Sequence, residues 1–255
     1  PYLPVLDEIL SHVDVECEVS LGVMNIPLYQ VVGTSTFGRT QAFASNFMPL
    51  LDWGTEFSAK WAHLVDAQLE EGIHHAIKVY EYMNKYYVIE GNKRVSVLKY
   101  FDAPTILAEV IRKVPKRTED LENKIYYEYM DFYKLTKINY LNFSKLGSFP
   151  KLQTTVGKNE DEEWTEDELM DFSSFHVAFT KAFKDNGGYK LNNLTSDDAM
   201  LFYLSLYPYA DSKEMISSEI KESLDKIWSE IALLGDDSSV ELLMDPTEEK
   251  QIVKS

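Results

Sequence analysis

Residues 86–89, Tyr-Tyr-Val-Ile, are aromatic or β-branched without interruption, which is the pattern of a strand. Five residues on the period changes. Val95, Leu98 and Phe101 recur at three- to four-residue spacing, one apolar face of a helix, so Glu90-Gly91-Asn92-Lys93-Arg94 predicts a tight turn between strand and helix. Upstream, residues 4–13 carry Leu6, Ile9 and Leu10 on one helical side, and 16–28 alternate through Val19, Leu21 and Val23 at the strand period. Pro27 points to a sheet edge or a strand end, because proline donates nothing to a ladder. Residues 55–71 predict a helix with Phe57, Trp61, Leu64, Val65 and Leu69 on its apolar side and Gly72 as its stop. Residues 77–83 and 86–89 predict a hairpin turning over Asn84-Lys85, and 106–110 a further strand.

From Thr118 onward the periodicity is helical throughout. Ile125, Tyr129, Phe132, Tyr133 and Thr136 line one face of a long aromatic helix, which reads as core. Thr165-Glu166-Asp167-Glu168 fits a capping box opening a helix past Phe172, Phe175, Phe179 and Phe183 to Gly187-Gly188. Thr195 with Asp198 caps the next. Over 212–234, Ile216, Ile220, Leu224, Ile227, Ile231 and Leu234 step by three or four and form a narrow seam, which either closes the helical bundle or joins two copies of the chain. Beyond Gly235 the composition turns acidic and polar, as in a linker or tail. The expected architecture is therefore α+β, a small mixed sheet with helices over 1–116, a helical domain over 117–236 and a tail over 237–255.

Charge narrows the partners. The 255 residues carry a formal net charge of −17, which would repel a polyanion. Between Lys85 and Arg117, eight cations face three anions, a net of +5, leaving −22 to the rest of the chain. A small phosphorylated ligand is accommodated more easily than duplex DNA, and nucleic acid is not the expected partner. The single cysteine, Cys17, excludes an intramolecular disulfide framework and suits a reducing, cytoplasmic compartment. No apolar run reaches the roughly 20 residues of a membrane-spanning helix. The chain opens on Pro1 rather than methionine, which is expected of a piece of a longer protein or a processed form.

The glycine turn carries the clearest chemistry. A glycine there lets the backbone approach a ligand closely, and the helix start beyond it presents free N–H groups and a positive dipole end to an anion. Lys93 and Arg94 in that first turn are poorly placed for the dipole alone, which points to a phosphate completing the site. A second loop, 33–40, is rich in glycine and hydroxyls and ends in Arg39-Thr40; a binding loop and an ordinary surface connection are equally open readings. His74-His75 are adjacent, point to opposite faces on a strand, and have no further ligand at metal spacing. Glu128 and Asp131, with Asp120 upstream, read as a solvated acidic face before a magnesium site, and His176 as a packed histidine before a catalytic one.

Ile26-Pro27-Leu28, the Arg39 loop, Glu71-Gly72-Ile73, Ile77-Lys78-Val79, residues 87–94 and Ala108-Glu109-Val110 occur in the order found in the ParB and sulfiredoxin superfamily, which the chain resembles over about residues 15–115. The resemblance implies nucleotide phosphates, of ATP or CTP with magnesium, bound at Gly91 and Arg94, with Asn92 and Lys93 in the same turn and Arg39 and Thr40 facing the pocket. A Glu-Asn pair that assists the metal in that family has its counterpart in Glu122-Asn123, although Ile125 stands where a glutamine is expected. Asn92 occupies the place of the sulfiredoxin cysteine, so that chemistry is not implied. The whole chain also resembles the leading part of bacterial proteins in which a ParB-like domain precedes a basic-membrane-protein-type solute-binding domain. The expected function is a nucleotide-binding regulatory or sensory module; the alternative is a small-molecule kinase or nucleotidase with Glu90 as base, and a DNA-binding partition-type regulator ranks third.

Overall fold

The computed structural model describes residues 2–50 and 54–236, apart from the Arg39 and Asp236 side chains. The expected tail, 237–255, lies outside the described residues. The chain divides into two compact units, Pro1–Leu141 and Asn142–Ser255.

In the first unit the order is α1 (Leu6–Leu10), β1 (Val15–Pro27), β2 (Val31–Thr34), α2 (Glu56–Glu70), β3 (Ile77–Tyr82), β4 (Lys85–Glu90), α3 (Asn92–Tyr100), β5 (Thr105–Pro115) and α4 (Leu121–Thr136), with short 3-10 turns at Leu28–Gln30 and Phe37–Ala42. The strands form one mixed sheet in the order β1-β5-β3-β4-β2. β1/β5 and β3/β4 are antiparallel, whereas β3/β5 and β2/β4 are parallel. The α+β class expected from the sequence is the class observed. The hairpin turns on Met83 and Asn84, at φ 51° and 59°, rather than on Asn84-Lys85, because Lys85 is already paired with Tyr82. Two left-handed residues match the twist of the flanking strands.

Because residues two apart share a face and register partners align, Ile77, Val79 and Glu81 of β3 lie beside Ala108, Val110 and Arg112 of β5 and Val88 and Tyr86 of β4. That face is the buried one. Toward the start of β3 it carries an apolar core in which Ile77, Val79, Val88 and Val110 pack with Val95 and Leu98 of α3. Toward the end of β3 it turns polar and is closed by α4. Glu81 is fully buried, pairs with Arg112 and accepts hydrogen bonds from Tyr126 Oη at 2.9 and 3.0 Å and from the Asn84 amide at 2.8 Å. The Arg112 guanidinium lies over the Tyr129 and Tyr133 rings. α4 thus belongs to the same compact unit as the sheet, Pro1–Leu141. The aromatic stripe of α4 is core, as its spacing predicts.

α2 is held differently. Its side chains are all at least partly exposed, and Leu69, counted in the expected apolar face, is 68% exposed. Its attachments are Phe57 against Phe43, Trp61 against Tyr100, and a hydrogen bond from Trp61 Nε1 to Ser96 Oγ at 3.0 Å.

The second unit comprises α5 (Ser148–Thr155), α6 (Glu166–Asp185), α7 (Ser196–Leu206), α8 (Tyr209–Ser212), α9 (Ser217–Lys226) and α10 (Trp228–Asp236). Both expected caps form, as capping boxes at Thr165/Glu168 and Thr195/Asp198. Phe172, Phe175, Phe179 and Phe183 are buried, and the single helix expected over 212–234 is instead interrupted at 213–216 and at Ile227. The breaks let Ile220, Leu224, Ile227, Ile231 and Leu234 turn into this unit's own core, while Ile216 stays exposed. His176 is a packed residue, 2.7 Å from Asp197, whose second oxygen accepts from the Asn142 amide.

Candidate functional site

β2 and β4 run parallel and end side by side, Thr34 opposite Val88. The Val88 carbonyl accepts from the Ser35 amide at 2.9 Å and from Thr34 Oγ1 at 3.1 Å, so the chain leaving β2 is fastened to β4 just before the glycine turn. The 3-10 turn Phe37–Ala42, carrying Arg39 and Thr40, therefore emerges from the same sheet end as Glu90 and Gly91. Loops that leave the C-terminal ends of neighbouring parallel strands stand side by side, where both can reach one ligand. The Thr40 hydroxyl donates to the Phe37 carbonyl at 2.9 Å, a bond that shapes its own turn. The Arg39 side chain lies outside the described residues.

Gly91 caps α3 with φ +111°, a conformation open to glycine and strained for other residues. A Cβ at Gly91 would also stand 2.9 Å from Ile77 Cβ and closer still to its Cγ2. The turn is thus pressed against the start of β3, and no side chain caps the helix. Asn92, the first helical residue, is 7% exposed, and its Oδ1 has no hydrogen-bond partner among the described residues. Lys93 Nζ lies 4.6 Å from the centre of the Phe57 ring. Arg94 Nη1 donates to the carbonyls of His75 and Ala76 at 2.9 and 2.8 Å, while Nη2 is 3.7 Å from Glu90 Oε1. Arg94 therefore fixes the entry to β3 and concentrates positive charge beside the turn. Glu90 itself stays open to solvent, its side chain 68% exposed.

Glu122 and Asn123 are not brought to this site. β5 runs parallel to β3, so its C-terminal end, and α4 after it, lie at the sheet end opposite the glycine turn. The Asn123 amide is spent locally, Oδ1 accepting from the Thr118 amide at 3.0 Å and Nδ2 donating to the Lys116 carbonyl at 2.9 Å. Glu122 is exposed in the first turn of α4. No group of three or more His, Cys, Asp or Glu side chains that could hold a metal ion occurs among the described residues, the His74-His75 pair included. Much of the basic stretch is answered by carboxylates: Arg112 by Glu81, Lys113 by Glu18, Lys116 by Asp14 and Arg94 by Glu90.

Sequence reasoning missed the Glu81–Arg112 pair and the Trp61–Ser96 bond. A signal for the first exists, since Glu81 shares the alternation of Ile77 and Val79 and Arg112 that of Ala108 and Val110.

No family model matches the chain, and no curated protein matches it. Among solved structures it is similar to a sulfiredoxin from Arabidopsis thaliana, at 18% identity and TM-score 0.25, over 34% of this chain and 82% of that one. It is also similar to the C-terminally truncated chromosome-partitioning protein ParB from Caulobacter crescentus complexed with CTP-gamma-S, at 10% identity and TM-score 0.25, over 72% of this chain and 98% of that one.

Proposed function

We propose that the chain binds a nucleoside triphosphate, ATP or CTP with magnesium, through phosphates seated at the N-terminus of α3, and serves as a regulatory module of a larger protein. The observation that carries this reading is the uncapped helix start at Gly91, where a left-handed glycine opens nine helical residues beside the hydroxyl-bearing loop of a parallel neighbour strand. The amides of the helix start and the dipole supply the anion site. Arg94 and Lys93 add charge, and the loop that carries Arg39 and Thr40 leaves the neighbouring strand at the same sheet end. The acidity of the remaining chain favours a compact ligand over a nucleic acid.

The test is thermal stabilisation by each nucleoside triphosphate with magnesium. ATP or CTP is expected to raise the melting temperature of the wild-type chain, and the rise is expected to vanish in Arg94→Ala. An undiminished rise in that variant would remove Arg94 from the site; no rise with any nucleotide in the wild type would end the reading.

Glu90 supports a second reading, a kinase or nucleotidase. Its exposed carboxylate directly precedes the turn, within reach of an acceptor placed beside the phosphates. Phosphate release or product formation on a panel of small alcohols and amino acids, lost in Glu90→Gln with nucleotide binding retained, would establish it.

A further inference from the structure

Helix starts and buried amides are common, but α3 combines the two in a way that costs stability. Asn92 is 93% buried by its 7% exposure, and its carbonyl oxygen has no donor among the described residues. Two partly buried amides with an unpartnered atom keep a bond at their opposite end, Asn84 Nδ2 donating to the Leu141 carbonyl at 2.9 Å and Asn186 Oδ1 accepting from Lys221 at 3.0 Å, whereas Gln30, 5% exposed in the 3-10 turn Leu28–Gln30, shares an unpartnered side-chain oxygen with Asn92 without standing at the start of an α-helix. Leaving a buried acceptor unmet is unfavourable, whereas an apolar side chain of similar volume would carry no such penalty. Cα–Cβ bonds in a helix tilt toward its N-terminus, so the Asn92 side chain leaves the backbone toward the same end as the helix-start N–H groups. Ser96, four residues on and on the same face, accepts from Trp61 Nε1, which places this polar strip of α3 alongside α2.

The missing partner is a donor. Phosphate oxygens at neutral pH only accept, so an anion at the helix start cannot satisfy Oδ1. An O–H or N–H group can, and the sugar and base of a nucleotide carry such groups while a bare polyphosphate does not. Resting on the nucleotide reading above, we infer that Asn92 is a specificity-determining contact of that site, its side-chain carbonyl accepting a hydrogen bond from the sugar or base of the bound nucleotide. The phosphates supply affinity through the helix start, and Asn92 distinguishes a nucleotide from any other chain of phosphates.

The experiment compares ATP, CTP and tripolyphosphate, each with magnesium, by calorimetric titration of the full chain and of Asn92→Leu and Asn92→Ala, with the melting temperature of each free protein recorded. The wild type is expected to prefer a nucleotide over tripolyphosphate. Both variants are expected to lose about 5- to 30-fold in nucleotide affinity, the loss corresponding to one hydrogen bond, with tripolyphosphate binding unchanged. The free Asn92→Leu protein is expected to melt no lower than the wild type. Equal loss for tripolyphosphate would make Asn92 a phosphate or metal contact, through its amide nitrogen or oxygen, and would overturn the inference. So would unchanged nucleotide affinity in both variants, or a wild type that binds tripolyphosphate as tightly as the nucleotides. A wild type that binds none of the three overturns the nucleotide reading, and this inference falls with it.

Discussion

One face of one sheet carries two buried polar features, near opposite ends of β3, and they are finished in opposite ways. At the C-terminal end of β3, Glu81 has Arg112, Tyr126 and the Asn84 amide as partners, and two aromatic rings lie against the guanidinium. At the N-terminal end, Asn92 has a carbonyl with no partner among the described residues, beside a helix start that no side chain caps. The first arrangement is an anchor. A buried charge is tolerable only when paired and hydrogen-bonded, and here the pairing fastens α4 to the sheet. The second leaves hydrogen-bonding capacity unspent, which folding alone gives no reason to keep. The contrast separates a polar group that serves the fold from one for which the proposed nucleotide would supply the partner.

The largest effect should come from stressing the anchored end with alkali. Burial pushes the phenols of Tyr86, Tyr126 and Tyr129 well above their ordinary value, with the Glu81 carboxylate opposing ionisation further. Their folded-state values are raised, so the unfolded chain ionises first. Stability is full below about pH 10 and falls as pH rises from there, at about 4 kcal/mol per pH unit for three such groups. Tyrosinate absorbance of this set should therefore appear together with loss of near-ultraviolet circular dichroism; ionisation of all the tyrosines while the fold persists would show that the cluster is open to solvent.

Next in size is the loss of one partner. Glu81→Ala should destabilise the chain by about 3–5 kcal/mol, because it strands the Arg112 guanidinium among aromatic rings. Denaturant unfolding measures this, and a cost below about 1 kcal/mol would mean that the pair does not anchor α4. At the other end the expected loss is smaller. Gly91→Ala combines a strained φ with overlap on Ile77, a cost of about 1–3 kcal/mol, whereas Gly38→Ala has nothing within 4 Å of the added carbon and should change stability by no more than about 0.5 kcal/mol. Equal effects at the two glycines would remove the geometric constraint assigned to the turn.

Local patterns made much of this legible from the sequence. The shift of period around Gly91, the alternation in β3 and the two capping boxes each depend on residues within a turn or two of one another. What was not legible depends on pairing across the chain. Tyr129, Phe132 and Tyr133 announce a buried helical face, yet nothing in their spacing says that it closes the sheet rather than a helical domain. Glu81 and Arg112 stand 31 residues apart and look like ordinary polar strand positions until the parallel β3/β5 register sets them opposite each other. The same register sends Glu122 and Asn123 to the far end of the sheet, away from the turn with which the superfamily resemblance associated them. The long helix over 212–234 failed for a related reason, since its seam is continuous in spacing while the chain bends to bury it. Asn92 could be named as a turn residue, but its unmet carbonyl emerges only from the packed structure.

The claim that the glycine turn is the nucleotide site is tested most directly by backbone amide NMR of the full chain, titrated with ATP and with CTP in the presence of magnesium. The largest saturable shifts should fall on the amides of Gly91, Asn92, Lys93 and Arg94, followed by those of the 35–42 loop. Saturable shifts that leave 91–94 unmoved, or no saturable shift with either nucleotide, would contradict it.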